Sequence, residues 1–214
     1  MASASVLVSS TKEVINFCRL TRLLFEGGTK ALRYTFDDIY PPAKLHQALV
    51  SKCRILQRLR RKRILSSRQW NMLYPTTHSA GKSEEFDITL LLVLLRHICG
   101  LRPPATGWNN LPPASDKSVE DNIARVTFCK NSLLRHASSA SVDDPTFDAL
   151  WLEISNALIG LGVDADTINE LKTESIYPDV EEHHQKLLKE WMKDEDNIKD
   201  KHNEIGGMNS NDCC

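Results

Sequence analysis

Residues 87–100, Asp87-Ile88-Thr89-Leu90-Leu91-Leu92-Val93-Leu94-Leu95-Arg96-His97-Ile98-Cys99-Gly100, decide the fold class. An aspartate precedes the run, where its carboxylate can accept from the first free amides of a helix. A glycine follows it, where a left-handed residue can close the last turn. Between them, leucines and a valine cover nearly every face of the predicted helix over 88–99, and a helix apolar all round belongs at the centre of a bundle. The apolar stretch 88–95 is far shorter than the roughly 20 residues that cross a bilayer.

Outward from this helix, the pattern is helical and offers no convincing strand. Val14, Cys18, Leu24, Phe25, Leu32, Phe36 and Ile39 recur at helical spacing from a start near Thr11. Gly27-Gly28 falls inside that pattern as a bend or break, and Pro41-Pro42 ends it. Residues 43–74 read as two or three short helices, with Ser66 or Ser67 capping one that carries Trp70 and Leu73. Residues 75–85 read as a polar loop, and 101–117 as a long ordered loop anchored by Trp108. Ser118 and Asp121 make a capping box for a helix with Val119, Ile123, Val126, Leu133 and Ala137 on one side. After the small-residue break 137–141, Asp144-Pro145 opens a helix that buries Phe147, Leu150, Trp151, Ile154, Leu158 and Leu161, and Gly162 stops it. A short helix around 167–171 follows.

The expected architecture is an all-α, four- to six-helix bundle with an additional C-terminal acidic helix. Its expected divisions are a disordered N-terminus over 1–10, a helical domain over 11–175, an acidic amphipathic helix over 176–205 and a disordered tail over 206–214. In the acidic part, Val180, Leu187, Trp191, Ile198 and Ile205 keep a thin 3.5-type stripe, interrupted by His184 and Asp194.

Charge is distributed unevenly. The 214 residues carry a net charge of −1, yet residues 1–78 hold 14 Lys/Arg against 4 Asp/Glu. The strongest cluster is Lys52, Arg54, Arg58, Arg60, Arg61, Lys62, Arg63 and Arg68. Arg54, Arg58, Arg60, Arg61, Lys62 and Arg63 are the candidate contacts for RNA or another polyanion. The favoured reading is a solvated face that offsets the acidic second half, because no aromatic interrupts residues 52–68 and a charge cluster alone is weak evidence for a ligand.

Cys18, Cys53, Cys99 and Cys129 stand singly among apolar neighbours, as reduced thiols do in a cytosolic protein. None pairs at zinc-ligand spacing. Adjacent His183-His184 point to different helix faces, so a solvated acidic helix is favoured there over a metal site. Cys213-Cys214 has the form of a prenylated terminus, without any GTPase pattern elsewhere. No metal or other cofactor is expected, and no targeting signal stands out, which gives a cytoplasmic location with the nucleus as the second choice.

One segment carries more than pattern: Lys130-Asn131-Ser132-Leu133-Leu134-Arg135-His136, continuing through residues 137–144. It resembles the core of the HEPN-like domain found in the DAZ-interacting zinc-finger type of RNA-binding ubiquitin ligase. Residues 86–91, 98–101, 103–108, 111–114 and 147–162 resemble the same domain, so the likeness covers about 14–175. It implies a HEPN-type helical bundle. In HEPN ribonucleases the motif is an arginine, a polar residue, a short spacer and a histidine. Asn131 and His136 match the second and last positions, whereas Lys130 replaces the arginine.

The chemistry explains the weight of that replacement. Metal-independent RNA cleavage needs a group that titrates near neutrality, which histidine supplies, and a cation on the scissile phosphate. Lysine keeps the charge but lacks the two-point guanidinium fork. On a regular helix Lys130 and His136 are also about 120° apart around the axis and about 9 Å apart along it. They converge only through a helix break before His136 or across a dimer.

The leading expectation is a non-catalytic interaction module that homodimerises or binds a protein partner, with RNA as a further ligand. Neither sequence-specific DNA binding nor membrane association is expected. No RING, NACHT or death-fold segment is visible, so ubiquitin ligation and ATP hydrolysis are not expected of this chain. The alternative is a metal-independent endoribonuclease, with His136 as acid/base, Lys130 as phosphate cation and Asn131 as orienter.

Overall fold

The structure is a computed structural model that describes residues 2–75, 81–173 and 186. Among the described residues eight α-helices follow one another: α1 (Ala2–Arg22), α2 (Thr29–Ile39), α3 (Leu45–Arg61), α4 (Ser67–Leu73), α5 (Ile88–His97), α6 (Val119–Arg135), α7 (Asp144–Gly160) and α8 (Ala165–Thr173). No strand occurs among the described residues, as the 3.6-residue periodicity requires. The expected acidic helix and tail, the His183-His184 pair and Cys213-Cys214 lie outside them.

α1 starts at Ala2 rather than near Thr11, because no proline or glycine interrupts the chain before Thr11. The anticipated bend at Gly27-Gly28 takes a specific form. Leu23–Gly28 is a π-helix, with helical dihedrals on both flanking residues, so α1 and α2 run on as one rod. The two glycines lie where neighbouring helices press in. A Cβ on Gly27 would stand 2.8 Å from Leu158 Cδ1 of α7, and one on Gly28 would stand 3.0 Å from Ile88 Cδ1 of α5.

α5 sits where its composition demands. Ile88, Leu90, Leu91, Leu94 and Leu95 have no exposed surface and join one cluster with Leu20, Leu24, Leu32, Phe36, Ile123, Val126, Ile154 and Leu158. Each fully buried leucine or isoleucine contributes roughly 1.5–3 kcal/mol. α6 packs along α7, α2 along α5, and α1 along α7, while α8 closes over the π-helical turn. Val119 departs from its expected burial and is exposed at the start of α6. Cys18 and Cys129 are buried, and burial pushes the Cys129 thiol up to about 12.

Helix starts follow side-chain chemistry closely. Asp87 Oδ1 accepts from the Leu90 amide, and Ser66 with Gln69 and Ser118 with Asp121 form reciprocal capping boxes. The cap of α7 is Asp143 rather than Asp144, which leaves Pro145 inside the first turn. Gly100 and Gly162 hold φ of 75° and 90° beyond α5 and α7, a conformation that a side chain would strain. Polar ties then link elements. Arg33 donates to the carbonyls of Ser83 and Phe86, Tyr40 Oη to that of Ile98, and Tyr74 Oη, from just beyond α4, to that of Leu49 on α3.

Candidate functional site

α6 carries the three motif residues and is helical without a break through Arg135. Lys130 is 4% exposed, so its ammonium lies inside the bundle. There its charge acts on Asp87, the cap of α5. Burial pushes the Asp87 carboxyl up, while the Leu90 amide, Arg68, the Thr89 amide and Lys130 pull it down. Asn131, next along the helix, is half-buried.

His136 closes α6 as its C-cap, half-buried. Its amide donates to Leu133 O, and its carbonyl accepts from the Ser139 hydroxyl and the Ala140 amide. Its charge reaches Asp143, the cap of α7. The Asp143 carboxyl is lowered first by hydrogen bonds from Thr146 and to a smaller extent by His136. α1 fixes this turn from behind. Asn16 donates to Val142 O and to Asp144 Oδ1, and the Val142 amide donates to Glu13 O. The chain turns after His136, not before it, so the structure leaves Lys130 and His136 on one uninterrupted helix. Lys130 serves one helix cap and His136 neighbours another.

The basic cluster is arranged differently. Arg54, Arg58, Arg60, Arg61, Lys62 and Arg63 are all exposed, on the outer face and C-terminal end of α3. The end of α3 is a Schellman motif in which the Ile64 amide donates to Leu59 O and the Arg63 amide to Arg60 O. Its left-handed position, where glycine is the usual residue, is Arg63 at φ 58°. An open depression of about 550 Å³ lies here, lined by Gln57, Arg60, Arg61, Arg63 and Trp70.

Trp70 is the residue that reading along the sequence left out of the cluster. The run 52–68 contains no aromatic, but α4 folds back and sets Trp70 under the Arg60 guanidinium, 4.8 Å from ring centre to Cζ. Tyr74 lies against the same indole, with centroids 4.8 Å apart. The capping box at Ser66, which turns the chain into α4, was the available signal. The charges of Lys52 and Lys62 act on Cys99 and His97, at the end of α5.

Two arginines not singled out from sequence are structural. Arg125 is 4% exposed; it donates to Asn122 Oδ1 and Pro113 O and pairs with Glu153 of α7 at 3.6 Å. Arg96 donates to Thr127 Oγ1 and to Trp108 O and lies 5.6 Å from the Trp108 ring centre. Burial lowers the Arg96 guanidinium to about 10. It thereby anchors the 101–117 loop through Trp108, the tryptophan expected to hold it. No group of three or more His, Cys, Asp or Glu residues that could hold a metal occurs among the described residues. None of their helices is long and apolar enough to cross a membrane.

Residues 42–184 match the family model described as DZIP3/hRUL138-like HEPN. The chain is also 29% identical over 164 residues to the human E3 ubiquitin-protein ligase DZIP3, and equally to the mouse protein of that name. The similarity covers 75% of this chain and 14% of each relative. No solved structure matches the chain significantly. The family match, together with the all-helical bundle built around α5 and α6, places this chain in the DZIP3/hRUL138-like HEPN family.

Proposed function

We propose that this chain is a non-catalytic HEPN-type binding module that holds RNA on the basic outer face of α3. The observation that carries the non-catalytic half is the position of Lys130. A cation 4% exposed, whose charge reaches Asp87, is poorly placed to grip a scissile phosphate beside His136. Hydrolytic chemistry needs a base and a phosphate cation within reach of one reacting atom, and α6 keeps the two apart.

The binding half rests on six exposed cations, three of which share a depression with Trp70. Arginine forks suit phosphate oxygens, and Trp70 offers a base a stacking partner. The test is equilibrium binding of single-stranded RNA over a range of salt. The reading expects affinity to fall steeply with salt and to drop in the triple variant Arg60→Glu, Arg61→Glu, Arg63→Glu. Unchanged binding by that variant would overturn it. Because the matched segment is 14% of each relative, ubiquitin ligation is not carried over to this chain.

A second reading, contact with a protein or a second copy, is favoured by α7. Ala149, Leu152, Asn156 and Ile159 are all exposed there, and Leu152 and Ile159 are 60% and 48% accessible. Their steps of three, four and three place them along one stripe. Light scattering of wild type against Leu152→Glu, Ile159→Glu tests it; a homodimer that persists in that variant does not use this stripe.

A further inference from the structure

The arginine at position 63 occupies the left-handed position just beyond α3, where a side chain is a disadvantage. The Schellman bonds from Arg63 and Ile64 hold φ at 58°, a region glycine enters freely and residues with a Cβ enter with strain. Strained residues of this kind cluster at binding and active sites. The side chain of Arg63 lines the depression of about 550 Å³ with Gln57, Arg60, Arg61 and Trp70. Three guanidinium groups thus border one concavity, and no carboxylate lines it.

We propose that this depression is a pocket for the terminal phosphate of a nucleotide strand. The inference rests on the RNA-binding reading of α3 and narrows it to an end of the strand. An internal phosphodiester carries one negative charge, whereas a terminal phosphate monoester carries about −1.5 to −2 at pH 7 and three acceptor oxygens. Three clustered cations suit the compact dianion. A strand of monoanions would be served by charges spaced along the helix, as Arg54 and Arg58 are. Arginine provides paired donors in a fixed fork, which matches two oxygens of one phosphate.

Trp70 selects the nucleotide over other phosphate esters. Its indole lines the same depression, half-buried, with the Arg60 guanidinium stacked 4.8 Å from its centre. Stacking on Trp70 holds the Arg60 plane beside the pocket. It also extends a flat surface on which the terminal base can rest. Gln57 adds an amide able to donate to a phosphate oxygen or to accept from a sugar hydroxyl.

The test compares one single-stranded RNA sequence carrying a 5′-phosphate, a 3′-phosphate or hydroxyls at both ends, by fluorescence anisotropy with the full chain. One of the phosphorylated strands is expected to bind about tenfold more tightly than the hydroxyl form. Arg63→Gly is expected to abolish that preference while its melting temperature stays at or above that of the wild type, since glycine is unstrained at this φ. That combination separates a ligand-binding arginine from one that merely ends a helix. Equal binding of all three strands by the wild type overturns the pocket but leaves RNA binding by α3 standing. Retention of the preference by Arg63→Gly also overturns the pocket, and absence of any RNA binding overturns both proposals. A phosphothreonine peptide that binds as tightly as the phosphorylated strand overturns the assignment to nucleic acid.

Discussion

The charge of Lys130, a residue of α6 that is 4% exposed, reaches Asp87, the cap of α5. The lysine at the first motif position is thus part of the packed interior. Truncating it removes its buried stem as well as its charge, so we expect Lys130→Ala to lower stability by about 1–3 kcal/mol in urea unfolding. A loss below about 0.5 kcal/mol, the level of a surface substitution, would contradict this placement.

Gly160 marks a close approach of α7 to α6. A Cβ there would lie 2.4 Å from Asn122 Nδ2, and Asn122 Oδ1 in turn accepts from buried Arg125. Gly160→Ala must displace that amide and disturb the Arg125 contacts. A loss of about 1–3 kcal/mol is expected from overpacking, read as a lower melting temperature. Gly27→Ala should cost less, because its obstacle is the end of the Leu158 side chain, at 2.8 Å.

His97 reports on the basic face. Burial, then the charges of Arg96 and Lys62, lower its pKa from 6.5. The unfolded chain therefore binds more protons than the folded one in the window between the folded value and 6.5. The stability contributed by neutral His97 is present above 6.5 and is lost as pH falls through the folded value. An NMR titration of His97 should give a midpoint below 6.5. Lys62→Gln should raise that midpoint, and RNA bound on α3 should raise it in the wild type, because phosphate charge offsets Lys62.

The all-helical bundle was legible because its signals are local. The all-round apolar run 88–99 announced a central helix, and the caps at Asp87, Ser66 and Ser118 act within three residues of themselves. Asp143 was mistaken for its neighbour because two adjacent aspartates precede Pro145, and the backbone chooses between them. The basic residues of α3 were legible as a cluster, but their aromatic partner was not. Trp70 joins them only through the turn into α4, a relation that reading along residues 52–68 cannot contain. The strain at Arg63 was hidden for a related reason. A left-handed position filled by arginine gives none of the glycine signal by which such helix ends are found.

Spacing along α3 predicts a distinct response for a row of arginines in which Arg61 alone also lines the depression. Arg54, Arg58 and Arg61 recur at three- to four-residue steps on an exposed face. Neutralising three phosphates on single-stranded RNA contributes about two units to the slope of log affinity against log salt. Arg54→Gln, Arg58→Gln, Arg61→Gln should therefore weaken binding across all sequences and reduce that slope by about two. An unchanged slope would place the RNA elsewhere.

The most direct test of the account follows labelled single-stranded RNA with purified protein in EDTA, scoring bound and cleaved strand in the same samples for wild type, Lys130→Arg and His136→Ala. The account predicts intact, bound RNA in all three, with binding that falls as salt rises. Cleavage by the wild type that disappears in His136→Ala would contradict it.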